Sequence, residues 1–362
     1  MRKMIWIGAV VLVVVLAVVA GFAWYWMMGP MYRPGDVRAG RNVAEPLAPP
    51  AQSGPRWIVA PGIELHHFEE GSGTPILTVH GGPGFPPTAT WAAGRLLAER
   101  YKMIYYHQRG CGLSTRPIAS FSDPNLYANM QLLNRTLGLP AQIADIERIR
   151  RILGEDRLVL MGHSFGALTA ALYAAEFPEH VKALIFVAPA NLVVLPVHGD
   201  DLFSLVGRGL PGSMKDEYAA YLREYFDFRA AFKRTEPQSS EFYGRLGKYF
   251  GAGTSIPVGS DAFSAGYVPL AAYIGMGKHH DYTDALHAVT APVLVIHGAS
   301  DLQSEATSRA FAACFANSRF VAIAGAGHFV FNDRPEEFAG AVRGFLDSPR
   351  SQPGDDGLRL RR

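Results

Sequence analysis

Most of the chain alternates short apolar runs with segments whose apolar residues recur at helical spacing. Short apolar runs bounded by turn residues are typical of strands that are covered on both faces. In Ala141–Leu153, the residues Ile143, Ile146 and Ile149 fall on one stripe, and the charged residues are expected on the opposite face. The pattern therefore predicts an α/β fold, with helices on both faces of a mostly parallel sheet.

The predicted strands are Trp57–Ala60, Ile63–Phe68, Pro75–Val79, Tyr101–Tyr106, Arg157–Met161, Val181–Val187, Pro292–Ile296 and Arg319–Ile323. The first two are expected to pair as a hairpin around Pro61-Gly62. The predicted helices are Ala141–Leu153, Ala167–Glu176, Glu305–Cys314 and Pro335–Phe345.

Residues 191–288 interrupt this alternation. The interval is rich in aromatic and charged residues, as in the run DEYAAYLREYFDF. We expect it to form a mostly helical cap, inserted between two parts of the sheet domain, residues 56–190 and 289–347. Since ligands of open α/β sheets bind at the carboxyl ends of the strands, the cap would cover the site.

Both ends of the chain differ from its body. No charged residue occurs from Ile5 to Met28, and about 20 apolar residues suffice to cross a bilayer. We therefore expect residues 1–28 to be a single-pass anchor in the cell membrane, with the catalytic domain outside the cytoplasm. A cleavable signal peptide is the alternative, although its apolar region is usually only ~7–15 residues long. The Pro- and Gly-rich residues 29–55 are interpreted as a linker, and the polar residues 348–362 as a disordered tail.

Composition excludes several classes of function. Of 362 residues, 49% are hydrophobic and 18% are charged, which is typical of a globular protein. A formal net charge of +2 and the lack of a Lys/Arg stripe argue against nucleic acid as a partner. Cys111 and Cys314 have the spacing of neither a disulfide framework nor a metal site. We expect neither a metal nor a cofactor.

The run Gly162-His163-Ser164-Phe165-Gly166 fits the G-x-S-x-G pattern of a nucleophile elbow. A predicted strand directly precedes it and a predicted helix directly follows, which is the context that the motif requires. The tight turn exposes the serine hydroxyl above a helix N-terminus, where developing negative charge is favoured. We predict Ser164 as a catalytic nucleophile.

A serine nucleophile needs a base, and the base needs an acid to orient it. In folds with this elbow, the acid and then the histidine follow the serine along the chain. Asp301 lies just beyond one predicted strand, and His328 lies in the glycine-rich loop beyond the next. We predict His328 as the base and Asp301 as the acid, with Glu305 as the alternative acid.

The glycine-rich run His80–Gly84, HGGPG, directly follows the predicted strand Pro75–Val79. Acyl transfer places negative charge on the former carbonyl oxygen, and loss of one preorganised donor there costs ~2.7–4 kcal/mol. We predict an oxyanion hole formed by the backbone N–H groups of Phe165 and Gly82. The spacings of phosphate-binding glycine loops are absent.

Four motifs together resemble the prolyl iminopeptidase branch of the α/β-hydrolases: HGGPG, HQRGCGLS from His107 to Ser114, the helix AQIADIERIRRILG, and GHSFG. The resemblance covers residues 57–190 and 290–345. It implies an α/β-hydrolase fold with a helical cap, and a Ser-Asp-His hydrolase that acts on the N-terminal residue of short peptides or on related amides and esters. The family usually has Asp in place of His107 and GGSWG in place of GHSFG, so this chain departs from it at two motifs.

In that family, carboxylates of the cap bind the free amine of the substrate, and Glu217, Glu224 and Glu241 are the candidates here. The cap aromatics are expected to form either the core of the cap or an apolar acyl pocket. The sequence thus predicts a membrane-anchored serine hydrolase of small molecules or short peptides, either an aminopeptidase or a carboxylesterase/lipase-like enzyme for apolar acyl esters. A non-catalytic binding protein is the remaining alternative. Epoxide or haloalkane hydrolysis would need a carboxylate in place of Ser164.

Overall fold

The computed structural model describes residues 14–16, 18–19, 21, 25, 28–197, 199–254 and 264–348. Most of the expected anchor, residues 1–28, and nearly all of the expected tail, residues 348–362, lie outside these residues. Within the described part of the chain, no helix has both the length and the apolar character that a membrane crossing requires. The membrane anchor stays a prediction.

The strands are β1 Trp57–Ala60, β2 Ile63–Leu65, β3 His67–Glu70, β4 Thr74–Val79, β5 Tyr101–Tyr106, β6 Leu158–His163, β7 Val181–Val187, β8 Val194–Leu195, β9 His280–Asp281, β10 Val293–Gly298 and β11 Ser318–Ile323. A seven-stranded sheet has the order β11-β10-β7-β6-β4-β5-β3. All its neighbouring strands are parallel except β3, which is antiparallel to β5. The predicted mostly parallel sheet is confirmed. The β1–β2 hairpin lies beside this sheet, and the remainder of the run predicted as its second strand belongs to β3.

The helices are α1 Ala92–Leu97, α2 Leu126–Leu137, α3 Leu139–Leu153, α4 Phe165–Glu176, α5 Leu202–Gly209, α6 Gly212–Tyr225, α7 Phe228–Ala231, α8 Glu236–Thr254, α9 Val268–Met276, α10 Thr283–His287, α11 Glu305–Ala313, α12 Val330–Asp333 and α13 Pro335–Leu346. Helices α3, α4, α10 and α11 bury their apolar side chains on one face of the sheet. Helices α1, α12 and α13 cover the other face. Successive strand residues therefore alternate between the two cores, as Val159 and Leu160 of β6 do.

Helices α5 to α9 follow β8 and precede β9, so the interval predicted to be mostly helical is helical over most of its described residues. The part that runs from α5 to α8 is called the inserted segment here, residues 202–254. Its buried side chains, largely tyrosine and phenylalanine, form a third core together with residues of α2 and α9, such as Leu133, Leu137 and Leu270. The two-residue strands β8 and β9, which pair at its base, have no signal in the sequence.

Helix α3 corrects the expectation that its charged residues lie on a solvated face. Asp145, Glu147 and Arg148 are all completely buried. Glu147 accepts hydrogen bonds from Arg150, Arg151 and the hydroxyl of Tyr173 on α4. Because each charge meets an opposite charge or a donor, burial on this face is tolerated where periodicity alone predicts exposure.

The predicted linker, residues 29–55, is also corrected, because much of it packs against the body. Tyr32 and Val37 are fully buried. The carboxylate of Glu176 on α4 accepts hydrogen bonds from the Tyr32 hydroxyl and from the backbone N–H groups of Gly35, Val37 and Arg38, at 2.8–3.3 Å. We call residues 28–47 the N-terminal arm. The composition of residues 29–55 predicts a linker because it does not reveal these contacts, which are made with Glu176, far along the chain.

Candidate active site

Ser164 occupies the sharp turn between β6 and α4, with φ 53° and ψ −119°. A non-glycine residue in such a conformation costs of order 1–3 kcal/mol and persists only where neighbouring structure enforces it. Here the Ser164 N–H donates to Val187 O at 2.9 Å, and its carbonyl accepts from Ala167 N at 3.0 Å and Ala190 N at 3.2 Å. These bonds fix the turn to β7 and to the helix that follows.

Three glycines allow the segments around the serine to approach closely. A Cβ on Gly162 would lie 2.6 Å from the Gly166 carbonyl oxygen, and one on Gly166 would collide with the Val79 carbonyl at the end of β4. A Cβ on Gly81 would lie 2.8 Å from the Cβ of Ser164. The G-x-S-x-G pattern and the start of the HGGPG loop are thus explained by lack of space.

His328 and Asp301 form a buried pair at the carboxyl ends of β10 and β11. The Nδ1 atom of His328 lies 3.0 Å from Asp301 Oδ2 and 3.2 Å from Oδ1. Since a carboxylate can only accept, Nδ1 carries the proton and Nε2 is left as the basic nitrogen. The side chain of Glu305, the alternative acid, is instead paired with Arg309 on the exposed face of α11.

The pKa of Asp301 lies below its ordinary value. Burial raises this pKa, but the electrostatic interaction with His328 and the hydrogen bonds from His328 and from the N–H of Gln303 lower it by more. Asp301 is therefore a carboxylate at neutral pH. In that state it orients the imidazole and stabilises a positive charge on it.

Ser164 and His328 line one cavity of about 350 Å³. Gly82 lines it too, and Phe165 is the first residue of α4, where backbone N–H groups have no acceptor within the helix. Much of the remaining wall is apolar, with contributions from Phe85, Trp91, Leu202, Leu246, Phe250 and Phe331. The wall includes no carboxylate among the residues that the structure describes.

Two further histidines hold this site together, and the sequence did not single them out for that role. His163 Nε2 donates a hydrogen bond to the carbonyl oxygen of His328 at 3.0 Å. This bond connects the nucleophile elbow to the loop that carries His328. His80 Nδ1 lies 3.0 Å from Gly81 O, and His80 Nε2 accepts from Gln108 N at 3.2 Å. Burial lowers the pKa of each to about 3, so both rings are neutral. Their place inside HGGPG and GHSFG was the available signal.

The three carboxylates expected to bind a substrate amine do not line this cavity. Glu217 is bonded to Lys248 and to the Tyr249 hydroxyl, and Glu224 is paired with Arg234. Glu241 lies exposed on α8. The expectation is corrected because α6 turns Tyr218, Tyr221 and Tyr225 into the core of the inserted segment, so that its acidic residues face the solvent.

Comparison with protein families gives a match to the alpha/beta hydrolase fold model over residues 74–335. This range includes the predicted nucleophile, base, acid and oxyanion glycine. It covers well over half of the chain.

Curated relatives include a proline iminopeptidase from Heyndrickxia coagulans, 28% identical over 302 residues, which cover 79% of this chain and 95% of the relative. One from Lactobacillus delbrueckii subsp. bulgaricus is 26% identical over 270 residues, covering 71% and 84%.

Solved structures with the same fold include a bromoperoxidase from Bacillus anthracis, with a TM-score of 0.54 and 21% identity, covering 79% of this chain and 96% of that one. The proline iminopeptidase from Mycobacterium smegmatis has a TM-score of 0.50 at 20% identity, covering 78% and 94%. At these identities the structures establish the shared fold.

Proposed function

Because the chain belongs to the α/β-hydrolase family, we propose that it is a serine hydrolase that cleaves small esters or amides through an acyl-enzyme on Ser164. The observation that carries the proposal is the buried His328–Asp301 hydrogen bond beside the cavity that both Ser164 and His328 line. This arrangement provides a nucleophile, a base and an acid that orients the base.

In the proposed reaction, Ser164 Oγ attacks the substrate carbonyl carbon while Nε2 of His328 takes the hydroxyl proton. The backbone N–H groups of Phe165 and Gly82 stabilise the oxyanion, and Asp301 stabilises the imidazolium. Collapse of the tetrahedral intermediate breaks the ester or amide bond, and the leaving alcohol or amine takes the proton from His328. Water then repeats the sequence and releases the acid.

The largely apolar cavity wall favours substrates whose acyl group is uncharged and apolar. A protonated substrate amine in a cavity of this kind needs a carboxylate partner, since an unpaired buried charge is costly. The described wall offers none, and the candidates Glu217 and Glu224 are engaged at the surface. We therefore favour apolar acyl esters as substrates.

An aminopeptidase is the second candidate, because curated relatives are proline iminopeptidases. The two are separated by comparing kcat/KM for a proline aminoacyl-arylamide with kcat/KM for aryl esters of two to eight acyl carbons. We expect the esters to be preferred. Preference for the arylamide would establish the second candidate in place of the first.

Covalent labelling tests the reaction class itself. A fluorophosphonate should label the wild-type protein on Ser164 and should not label Ser164→Ala. Ser318→Ala, at an exposed position at the start of β11, is the matched control and should label at the wild-type rate. Equal labelling of wild type and Ser164→Ala, or no labelling of either, would disprove the serine hydrolase.

A further inference from the structure

Four charged side chains that do not line the cavity form a cluster: Glu45, Arg109, Asp145 and Arg148. Arg109 binds Asp145 with two hydrogen bonds of 2.6 Å, and Arg148 binds Asp145 Oδ1 at 2.8 Å. The side chains of Arg109, Asp145 and Arg148 are 0% exposed. Arg109 comes from the loop after β5, and the other two fully buried residues come from α3.

Glu45 is the member of the cluster that comes from the N-terminal arm. Its carboxylate lies 3.2 Å from Arg109 Nη1 and 3.7 Å from Arg148 Nη2, and its side chain is only 19% exposed. The arm backbone adds acceptors, since Arg148 donates to the carbonyls of Glu45 and Pro46 at 2.7 and 2.9 Å. Two guanidinium groups are thus balanced by two carboxylates.

Removal of the Glu45 charge would leave two buried cations sharing the single carboxylate of Asp145. An uncompensated buried charge is strongly unfavourable. The protein would relieve it by moving Arg109 toward water, and the loop that carries Arg109 would move with it.

That loop is hydrogen-bonded directly to His80, the first residue of the HGGPG loop that carries Gly82. Gln108, the neighbour of Arg109, donates through its backbone N–H to His80 Nε2 and through its side-chain amide to His80 O, both at 3.2 Å. His80 is followed by Gly81, which abuts Ser164, and by Gly82. A continuous path therefore connects the arm carboxylate, Arg109, Gln108, His80 and the predicted oxyanion donor.

We propose that Glu45 is a positioning residue that holds the Gly82 N–H in place for oxyanion binding, by fixing Arg109 and the loop after β5. The proposal rests on the serine hydrolase function proposed above. It makes the N-terminal arm a working part of the hydrolase domain, although the arm contributes no residue to the described cavity wall.

The test compares Glu45→Gln, which keeps the shape and removes the charge, with Glu179→Gln. Glu179 is a matched control because it also binds the arm, through Arg38 at 2.8 Å, but in a half-exposed pair outside the buried cluster. For an aryl ester we expect Glu45→Gln to lower kcat about tenfold, with KM within about twofold, because a displaced donor weakens transition-state binding alone. The Ki of a boronic acid that mimics the tetrahedral intermediate should rise by the same factor as kcat falls. Glu45→Asp should restore part of kcat, and Glu179→Gln should match wild type.

Fluorophosphonate labelling separates failure of this inference from failure of the proposed function. If wild type is not labelled, the serine hydrolase is disproved. If wild type is labelled and Glu45→Gln keeps the wild-type kcat and boronic acid Ki, the positioning role of Glu45 is disproved. A fall in kcat without a rise in Ki, or an equal fall in Glu179→Gln, would also overturn it.

Discussion

Ser164 lies at the edge of the sheet formed by the carboxyl ends of its strands, called the sheet edge here. This sheet edge and the inserted segment, which contributes to the cavity wall, are packed in different ways. At the sheet edge, backbone segments approach so closely that Gly81, Gly162 and Gly166 cannot be larger. In the inserted segment, rings carry the packing, as in the contacts of Tyr221 with Tyr225 and Phe242 at centroid distances of 5.7 and 5.1 Å. The first arrangement depends on backbone geometry and the second on side-chain packing.

This difference decides how much change each region tolerates. A tight backbone arrangement accepts almost no other residue, whereas packed aromatic side chains can be exchanged if volume is kept. We infer that the reaction is fixed at the sheet edge and that substrate preference is set by the inserted segment, through wall residues such as Leu246 and Phe250. Six substitutions test this difference between the two regions.

The largest effect is expected at the sheet edge, from His328→Ala. Loss of the base should lower kcat/KM for an aryl ester by about 10⁴–10⁶-fold, because the hydroxyl of Ser164 then has no proton acceptor. Glu305→Gln is the control and should retain nearly full activity, since Glu305 is paired with Arg309 at the surface. A loss of less than tenfold in His328→Ala would remove the reaction from this edge.

Gly166→Ala tests whether lack of space requires glycine at this position. The added methyl group would meet the backbone of β4, and we expect a loss of about 3 kcal/mol in the free energy of unfolding, measured in urea. Gly344→Ala, in α13, has open space around it and should instead stabilise by about 0.5–1 kcal/mol. Equal effects of the two substitutions would contradict the idea of a sterically fixed edge.

The buried neutral His163 predicts a dependence of stability on pH. Its pKa is about 3 in the folded protein, against an ordinary value of 6.5, because of burial first and the nearby His328 second. Below pH 6.5 the unfolded chain binds a proton that the folded protein does not, so stability falls as the pH falls from 7 toward 3. This contribution amounts to about 1 kcal/mol at pH 5.5.

His163→Gln should therefore reduce the slope of unfolding free energy against pH between pH 7 and 5, and the slope that remains includes the contribution of His80, whose pKa burial also lowers to about 3. Ser318→Ala, at the exposed start of β11, is the control because it removes no titratable group, and it should keep the wild-type slope. An unchanged slope in His163→Gln would show that this imidazole is not kept neutral.

In the inserted segment, Phe250→Ala should change preference while the chemistry is kept. We expect KM for apolar acyl esters to rise about tenfold, with kcat nearly unchanged, because the ring forms part of the cavity wall. A large fall in kcat with unchanged KM would show that the inserted segment contributes to catalysis, and would contradict the inference that it sets only substrate preference.

The smallest effect is expected from Glu217→Gln and Glu224→Gln. Both glutamate side chains are about half exposed, and neither lines the cavity. We expect kcat/KM within about twofold of wild type for both ester and aminoacyl-arylamide substrates. A tenfold loss specific to the arylamide would mean that a carboxylate of the inserted segment reaches the substrate.

Most sheet strands, the helices α3, α4, α11 and α13, and the elbow were predictable because local pattern determines them, whereas the short core helices α1, α10 and α12 were not predicted. Apolar runs predict β4 to β7. The glycines two residues before and after Ser164, Gly162 and Gly166, indicate that a side chain has no space at that turn. The burial of Asp145 and Arg148 was not predictable, because it depends on Glu45 about 100 residues earlier in the chain. The orientation of α6 was equally hidden, since tyrosines and glutamates alternate around it and only its neighbours decide which face is covered.

The carboxylate of Glu176 has a practical consequence for any shortened form of the protein. From the sequence alone, a shortened form that begins just before β1 would be a reasonable choice, because the residues directly before β1 are rich in Pro and Gly. It would also remove the Tyr32 hydroxyl and three backbone donors from a side chain that is only 1% exposed. A shortened form that begins at residue 28 keeps every one of these donors, and we expect it to be the more stable of the two.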